Sequence, residues 1–354
     1  MSKANSRIRR FALGAIAALT VAAFGASANA DTITGAGATF PQPVYTRWAE
    51  QYAAQGGDTL NYQGIGSGGG QNQIINRTVD FGASDVPVEP ERLSTNHLLQ
   101  FPAVIGSVVV TVNVPGIDGN ALKLTGPVVA DIYRGRIRMW SDRRIRALNP
   151  GVSLPSIAIA PVYRADSSGT TGIFTGYLAA VDAGFRDSIG VGKSVSWPTG
   201  VGAPGNAGVA GAVSNTRGGI GYIEYAYATE NNMPAATLQN AAGHWVRPSM
   251  ATFRAAAAAA DWAHASTMAP SMLNTSGANA WPIVSATYIL LPKNPTDATR
   301  SRQVMEFFDW AFDHGGPAAE QLHYVPLPDS VMDTVRHAWC EVQSGGQPVW
   351  NGCH

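Results

Sequence analysis

The chain has 354 residues, with 24 Lys+Arg against 24 Asp+Glu, and only 14% of its residues are charged. This length suggests two domains, and the charged fraction is well below the usual quarter. A chain without net charge has no broad attraction for nucleic acid or for an anionic membrane, so any anion site must rely on local dipoles and a few placed cations.

Residues 1–30 have the three parts of a secretory signal peptide. An apolar stretch runs from Phe11 to Phe24, the small residues Ala28-Asn29-Ala30 follow it, and the basic start contains Lys3, Arg7, Arg9 and Arg10. An uncleaved membrane anchor is the alternative, but the apolar stretch is short for a bilayer span of about 20 residues. We therefore expect cleavage after residue 30.

The mature chain has 324 residues (354 − 30) and a net charge of −4, since the leader removes four of the 24 basic residues and no acidic ones. No cysteine lies near the cleavage point, so the lipoprotein form has no acceptor thiol. The sequence predicts a soluble periplasmic protein.

Strands and helices alternate from the start of the mature chain. Asp31 to Phe40 is predicted as a strand, followed by a helix with Pro41 and Pro43 in its first turn. A second strand is predicted at Thr59 to Gln63, and a second helix from about Gln71 to Asn76. This alternation favours an α/β fold with largely parallel sheets.

Two apolar runs, Val104 to Val112 and Tyr288 to Leu291, are predicted as buried strands. The intervening chain contains helical patterns of its own, at Arg164 to Val181 and in the alanine-rich stretch Arg254 to His264. It is interpreted as a second domain inserted into the first, with a hinge near Val109 and Tyr288. A ligand is then expected between the domains.

Three glycine- and hydroxyl-rich segments lie where a helix begins: Gly35 to Phe40, Gly64 to Gly70, and Arg164 to Thr171. A helix start has unpaired N–H groups and the positive end of the helix dipole, so it can bind an anion. Ordinary capped helices are the alternative for any one segment. Three of them in one exported chain favour an anion site.

The third segment, RADSSGTTGIF, combines a cation, Arg164, with an acceptor, Asp166, and with serial donors at Ser168, Gly169 and Thr170. A guanidinium can bind two oxyanion oxygens, and a nearby carboxylate can hold it in place. A surface ion pair between Arg164 and Asp166 remains the alternative from these residues alone.

Two other classes of function fit less well. Gly64, Gly66 and Gly69 match the dinucleotide-binding pattern GxGxxG, and Asp85 follows at a suitable distance. The preceding strand is too polar for that fold, however, and nicotinamide cofactors are scarce in the periplasm. Neither Ser67 nor Ser168 sits in a GxSxG elbow, and no histidine lies beside the glycine clusters. The sequence therefore shows neither an activated water nor a nucleophile with its base, and an exported phosphatase is kept as an alternative. We expect no cofactor and no catalytic residues.

Both cysteines, Cys340 and Cys353, lie near the C-terminus. Because the periplasm oxidises thiols, a disulfide between them is predicted. A metal site that adds His337 and His354 is the alternative, but the spacing does not match familiar zinc sites. We expect no metal.

Long motifs in this chain resemble the periplasmic phosphate-binding proteins of Pst-type ABC transporters, and the resemblance covers nearly the whole mature chain. The motifs are TGAGATFPQPVYTRWA from Thr34, NYQGIGSGGG from Asn61, VDFGASD ending at Asp85, IYRGRIRMW from Ile132, RADSSGTTGIF from Arg164, GGIGYIEYAYA from Gly218, AWPI from Ala280, FFDWAF from Phe307 and LPDSV from Leu327.

The resemblance implies a type II periplasmic binding protein: two α/β lobes joined by a hinge, with mixed, mostly parallel sheets flanked by helices. Lobe 1 is expected at 31–110 plus 284–354 and lobe 2 at 111–283, with the ligand cleft between them. The implied function is selective binding of inorganic phosphate and its delivery, by a monomer, to the permease and ATPase of an inner-membrane importer. Receptors for other oxyanions and exported phosphate-ester hydrolases are the alternatives.

The resemblance also implies the ligand contacts. They are Ala38, Thr39, Phe40, Ser67, Asp85, Arg164, Ser168, Gly169 and Thr170, with Asp166 orienting Arg164. Asp85 can accept the proton that phosphate carries near neutral pH and that sulfate lacks, whereas arsenate shares it. The chain departs from the family at Gly68, where serine is common, at Ser167, where glycine is common, and in its cysteine-containing tail.

Overall fold

A computed structural model describes residues 32–353 of the chain, so the expected signal peptide and His354 lie outside the described residues. Within 32–353 no helix is long and apolar enough to cross a bilayer. The strands of this part are β1 (Thr32–Gly37), β2 (Thr59–Gly64), β3 (Phe81–Ser84), β4 (Leu98–Asn113), β5 (Lys123–Leu124), β6 (Ala160–Arg164), β7 (Val201–Ala203), β8 (Gly219–Glu224), β9 (Thr237–Gln239), β10 (Trp245–Val246), β11 (Val284–Pro292), β12 (Gln343–Ser344) and β13 (Gln347–Pro348).

Helices connect and cover these strands. They are α1 (Gln42–Ala54), α2 (Ser67–Ile75), α3 (Pro90–Thr95), α4 (Gly126–Tyr133), α5 (Arg143–Leu148), α6 (Gly169–Val181), α7 (Ala183–Ser188), α8 (Gly205–Asn215), α9 (Tyr225–Glu230), α10 (Met250–Ala257), α11 (Ala298–His314), α12 (Gly316–Gln321) and α13 (Asp329–Ala338).

Eight strands form one sheet in the order β2-β1-β3-β11-β4-β8-β6-β7. The pairs at its two ends, β2-β1, β1-β3, β8-β6 and β6-β7, are parallel. The three central pairs, β3-β11, β11-β4 and β4-β8, are antiparallel. The predicted α/β fold with a mixed sheet is confirmed, and its parallel pairs lie where strand–helix–strand units occur.

Strand β4 is the longest element of the sheet and is buried along nearly all its length. It pairs with β11 from Leu98 to Ser107 and with β8 from Val108 to Asn113. Because both faces of the sheet are covered along β4, its sequence is a continuous apolar run rather than an alternating one. The change of partner between Ser107 and Val108 joins the two halves of the sheet. The lobe bounds 31–110, 284–354 and 111–283 stay a prediction.

Helix α2 begins at Ser67, four residues before the predicted start at Gln71. Glycine has a low helix propensity, so the sequence alone places the start of the helix after the glycine cluster. The glycines serve close packing instead, because a Cβ at Gly70 would lie 2.4 Å from the Cα of Gly37 on β1. The first turn of α2 can therefore rest directly on the β1 backbone.

The predicted helix in the alanine-rich stretch is shorter than expected. Helix α10 ends at Ala257, and Ala258 and Ala259 are exposed. Only Phe253 and Ala256 on this helix are fully buried. Propensity alone does not sustain a helix beyond the residues that pack against the core.

The predicted disulfide is present, with Cys340 bonded to Cys353 across a sequence separation of 13 residues. It holds the short β12–β13 hairpin against the body of the protein, where Trp339 packs edge-on to Trp350 at 4.8 Å. Within residues 32–353, no group of three or more His, Cys, Asp and Glu side chains could hold a metal ion.

Replacing both cysteines, Cys340→Ser with Cys353→Ser, is expected to lower the free energy of unfolding by about 3 kcal/mol, because the open loop gains entropy in the unfolded chain. Urea unfolding measures the difference, and wild-type protein treated with dithiothreitol provides the matched control. Equal stability of the oxidised, reduced and substituted proteins contradicts this role for the disulfide.

Candidate functional site

The three predicted anion-binding segments meet at one place, where β1, β2 and β6 lead into α1, α2 and α6. Gly169 lies directly against the second segment, since a Cβ there would be 2.3 Å from Ser67 Oγ and 2.5 Å from Asp85 Oδ2. Thr39 of the first segment is connected to Thr170 of the third through the side chain of Asn206. The fold thus brings residues from both ends of the central sheet together.

Arg164 lies at the centre of this cluster, and its side chain is completely buried. Its Nε donates to Asp166 Oδ1 at 2.8 Å, its Nη2 donates to Asp166 Oδ2, and its Nη1 donates to Thr170 Oγ1 at 3.1 Å. The guanidinium is thus bound in a bidentate pair and aimed at the start of α6. This burial rules out the alternative of a surface ion pair.

Asp166 compensates the charge of Arg164. Burial by itself would raise the pKa of the Asp166 carboxyl, but the hydrogen bonds and the charge of Arg164 outweigh burial and hold this pKa below its usual value. The N–H of Gly205 also donates to Asp166 Oδ1, at 3.0 Å. Asp166 is therefore ionised and fixed, as expected of a residue that orients the guanidinium.

Asp85 is buried at the end of β3 and faces the same cluster. Thr287 donates to its Oδ1 at 2.9 Å, and Ser67 donates to its Oδ2 at 3.4 Å. Burial raises the pKa of Asp85 to about 7, although Thr287, Arg164 and Ser67 all favour the charged form. This carboxyl group therefore changes its protonation state near neutral pH.

Backbone N–H groups supply further donors. Within residues 32–353, the N–H groups of Thr39, Phe40, Gly169 and Thr170 donate to no protein acceptor. They occupy the starts of α1 and α6, where the helix dipole favours an anion. The N–H of Ala38 differs from them, because it donates to Ala83 O at 3.0 Å.

The remaining predicted residues have defined places. Ser168 is the N-cap of α6 and accepts the N–H of Thr171 at 3.0 Å through its Oγ. The ring of Phe40 lies in the hydrophobic core, so the residue can face the site only through its backbone. All nine predicted contact residues and Asp166 thus lie in one cluster, and their roles toward a ligand stay a prediction.

Sequence reasoning missed two polar residues of the cluster. Thr287 is a buried polar residue within the apolar strand β11, and Asn206 follows Gly205, whose positive φ of 64° marks the turn into α8. Asn206 donates to Thr39 Oγ1 at 2.8 Å and to Thr170 Oγ1 at 3.2 Å. The sequence signals available for them were a threonine within an apolar strand, for Thr287, and a glycine at the start of a helix, for Asn206.

The two departures at Gly68 and Ser167 are complementary in space. Gly68 donates its N–H to Ser167 O at 2.9 Å, and a Cβ at Gly68 would lie 2.1 Å from Ser167 Oγ. The hydroxymethyl group of Ser167 therefore fills the space that a side chain at position 68 would need.

Asp85→Asn is expected to stabilise the ligand-free protein at pH 8. The folded-state pKa of about 7 lies above the ordinary 3.8, so the wild type loses stability as the pH rises from about 4 to about 7. A pKa difference of three units corresponds to a loss of at most about 4 kcal/mol in the free energy of unfolding of the wild type. Below pH 4 this loss is absent, because the carboxyl group is protonated in both the folded and the unfolded protein. Urea unfolding at pH 4 and pH 8, in phosphate-free buffer, measures the difference.

Asp261→Asn, at an exposed position, is the matched control for this prediction and should show no gain at pH 8. An Asp85→Asn variant that is no more stable than the wild type at pH 8 contradicts the raised pKa.

The sequence from 22 to 314 matches a family model described as a PBP superfamily domain. A phosphate-binding protein PstS from Pasteurella multocida is 48% identical over 335 residues, which cover 94% of this chain and 97% of the relative. A PstS from Haemophilus influenzae is 47% identical over 312 residues, which cover 88% of this chain and 93% of the relative.

Among solved structures, the high affinity periplasmic phosphate-binding protein PfluDING, bound with phosphate, superposes with a TM-score of 0.71. Its sequence is 25% identical to this chain, and the match covers 91% of this chain and 98% of the other. The likeness therefore extends over both halves of the central sheet.

Proposed function

This chain belongs to the PBP superfamily and, within it, to the phosphate-binding proteins named PstS, and from this membership we propose that it binds inorganic phosphate. Its function is that of an extracytoplasmic receptor which delivers phosphate to an ABC-type importer in the inner membrane. The signal-peptide pattern at 1–30 and the Cys340–Cys353 disulfide support a periplasmic location.

The strongest structural support for this proposal is the carboxyl group of Asp85, which is buried among the donors of the site. An acidic side chain buried in an anion site repels an anion without a proton, because acceptors then face acceptors. Phosphate near neutral pH keeps a proton that the carboxylate of Asp85 can accept, whereas sulfate has none. A binding site with an unpaired buried polar group can reject the wrong ligand by a factor of about 10⁴. The site therefore fits phosphate better than sulfate.

The other proposed contacts supply donors to the remaining phosphate oxygens. The guanidinium of Arg164 is the buried cation, and the N–H groups of Thr39, Phe40, Gly169 and Thr170 are uncommitted within the described chain. Ser67 and Ser168 add hydroxyl groups, and Asp166 lies behind Arg164. Ala38 belongs to the proposed set although its N–H already donates to Ala83 O. This arrangement surrounds one small anion with donors from both ends of the sheet.

The chain is proposed to be a receptor and not an enzyme. Its curated relatives are named for phosphate binding. The importer's permease and ATPase are the proposed partners of a monomeric receptor.

Calorimetric titration at pH 8 is expected to show one phosphate bound per chain and no sulfate binding. Arsenate is expected to bind at the same site with a lower affinity than phosphate. Asp85→Ala and Arg164→Ala should each abolish measurable phosphate binding, because each removes a buried group that faces the anion. Arg254→Ala is the matched control, since this exposed arginine pairs with Glu320 outside the proposed site. Equal affinities for sulfate and phosphate contradict the proposal, and turnover of a phosphate ester by the pure protein would favour a hydrolase.

Selectivity is also expected to depend on pH. Below about pH 7 the carboxyl group of Asp85 is increasingly protonated, so it can donate a hydrogen bond to a sulfate oxygen. Sulfate affinity should therefore rise as the pH falls from 8 to 5. Titrations with sulfate at both pH values check this, and a sulfate affinity that falls toward pH 5 contradicts the role given to Asp85.

A further inference from the structure

Three tyrosine hydroxyls donate to three consecutive backbone carbonyls beside the proposed phosphate site. Tyr62 donates to Ala38 O at 2.6 Å, Tyr227 donates to Thr39 O at 2.5 Å, and Tyr324 has its hydroxyl 2.6 Å from Phe40 O. The three tyrosines come from widely separated parts of the sequence. Together they bind every backbone carbonyl of the loop from residue 38 to residue 40.

Peptide geometry connects these hydroxyls to the anion site. In a trans peptide the carbonyl of one residue and the N–H of the next lie in one plane and point in opposite directions. The bond to Ala38 O therefore orients the N–H of Thr39, and the bond to Thr39 O orients the N–H of Phe40. A hydrogen bond at the carbonyl also polarises the N–H of the same peptide and strengthens it as a donor.

The third carbonyl precedes Pro41, which has no N–H, so its hydrogen bond acts on the loop and not on a donor. Tyr324 fixes the Phe40–Pro41 peptide, where the chain turns into α1. Its ring is fully buried and packs edge-on to Phe40 at 6.4 Å. The loop is thus held at both the donor peptides and the peptide that follows them.

Glu224 is the second residue that contacts the hydroxyl of Tyr324. The Tyr324 hydroxyl lies 2.9 Å from Glu224 Oε2 as well as 2.6 Å from Phe40 O, yet it has only one proton. Both of these oxygens accept, and Glu224 Oε2 also accepts the N–H of Ala226 at 2.7 Å, so the hydroxyl proton of Tyr324 is shared between Phe40 O and Glu224 Oε2. Burial raises the pKa of Glu224 well above its usual value. Within the described chain its Oε1 has no hydrogen-bond partner.

We propose that Tyr62 and Tyr227 are positioning residues that aim and polarise the N–H groups of Thr39 and Phe40 toward bound phosphate, and that Tyr324 holds the Phe40–Pro41 peptide of the same loop. Glu224 holds the Tyr324 hydroxyl beside Phe40 O. The inference rests on the proposed phosphate-binding function. It adds a set of residues that do not contact phosphate themselves but raise the affinity of the protein for phosphate.

The test compares Tyr62→Phe, Tyr227→Phe and Tyr324→Phe with the wild type by calorimetric titration with inorganic phosphate. Each substitution removes one hydroxyl and keeps the ring, and each should weaken phosphate binding about tenfold. Tyr133→Phe is the matched control, because this buried hydroxyl donates to Val162 O, outside the loop. The control should bind within twofold of the wild type.

Amide NMR distinguishes positioning from general structural support. Phosphate should shift the N–H resonances of Thr39 and Phe40 downfield in the wild type. Tyr62→Phe should reduce the shift of Thr39 alone, and Tyr227→Phe should reduce that of Phe40 alone. A merely structural role predicts equal changes at both residues in both variants, and that result overturns the inference.

Glu224→Ala tests this contact, since it removes the carboxyl group that holds the Tyr324 hydroxyl. It should weaken phosphate binding as Tyr324→Phe does, and binding equal to that of the wild type overturns the part given to Glu224.

A wild type that binds phosphate while all three tyrosine variants bind equally well overturns the inference alone. A wild type that binds no phosphate overturns the proposed function and this inference with it.

Discussion

The buried pair of Arg164 and Asp166 is the interaction on which the rest of the site depends. A guanidinium cannot be removed from water unless its charge and its donors are matched, and Asp166 matches both in bidentate geometry. Asp166 in turn holds Gly205 at the start of α8, and Thr170, bonded to Arg164, holds Asn206. Through Asn206 the network reaches Thr39, so one buried charge pair connects three helix starts.

This pairing leaves the site with little positive charge of its own. Arg164 and Asp166 cancel, and the expected mature chain carries a net charge of −4. Attraction for an anion must then come from oriented backbone N–H groups, whose dipoles are fixed before the ligand arrives. The tyrosine contacts to the carbonyls of Ala38, Thr39 and Phe40 belong to the same design, because a fixed dipole needs a fixed peptide.

Burial of Asp85 has a cost in stability that serves selectivity. An acid whose pKa is raised to about 7 destabilises the folded, ligand-free protein as the pH rises from about 4 to about 7, and the whole loss persists above pH 7. Functional sites commonly carry such destabilising groups, which selection retains for the chemistry they provide. In the proposed role of Asp85, the retained property is an acceptor that only a protonated anion can satisfy.

Much of the fold and of the candidate site could be predicted from the sequence, for identifiable reasons. The strands β4 and β11 appear as apolar runs because both of their faces are covered, and the site segments appear as glycine-rich helix starts. The predicted start of α2 was wrong because glycine has a low helix propensity. In the structure a glycine is needed at position 70, because this residue packs closely on Gly37. Thr287 could not be assigned, since its partner Asp85 lies 202 residues away in the sequence.

The most direct test of this account is a crystal structure of the chain grown with phosphate. We predict one phosphate within hydrogen-bond distance of the Asp85 carboxyl group, the Arg164 guanidinium and the N–H groups of Thr39 and Phe40. Arsenate should occupy the same position. A phosphate bound instead in the neighbouring cavity of about 500 Å³ beside Arg47 and Gln42, with Asp85 and Arg164 not in contact with it, would contradict the account.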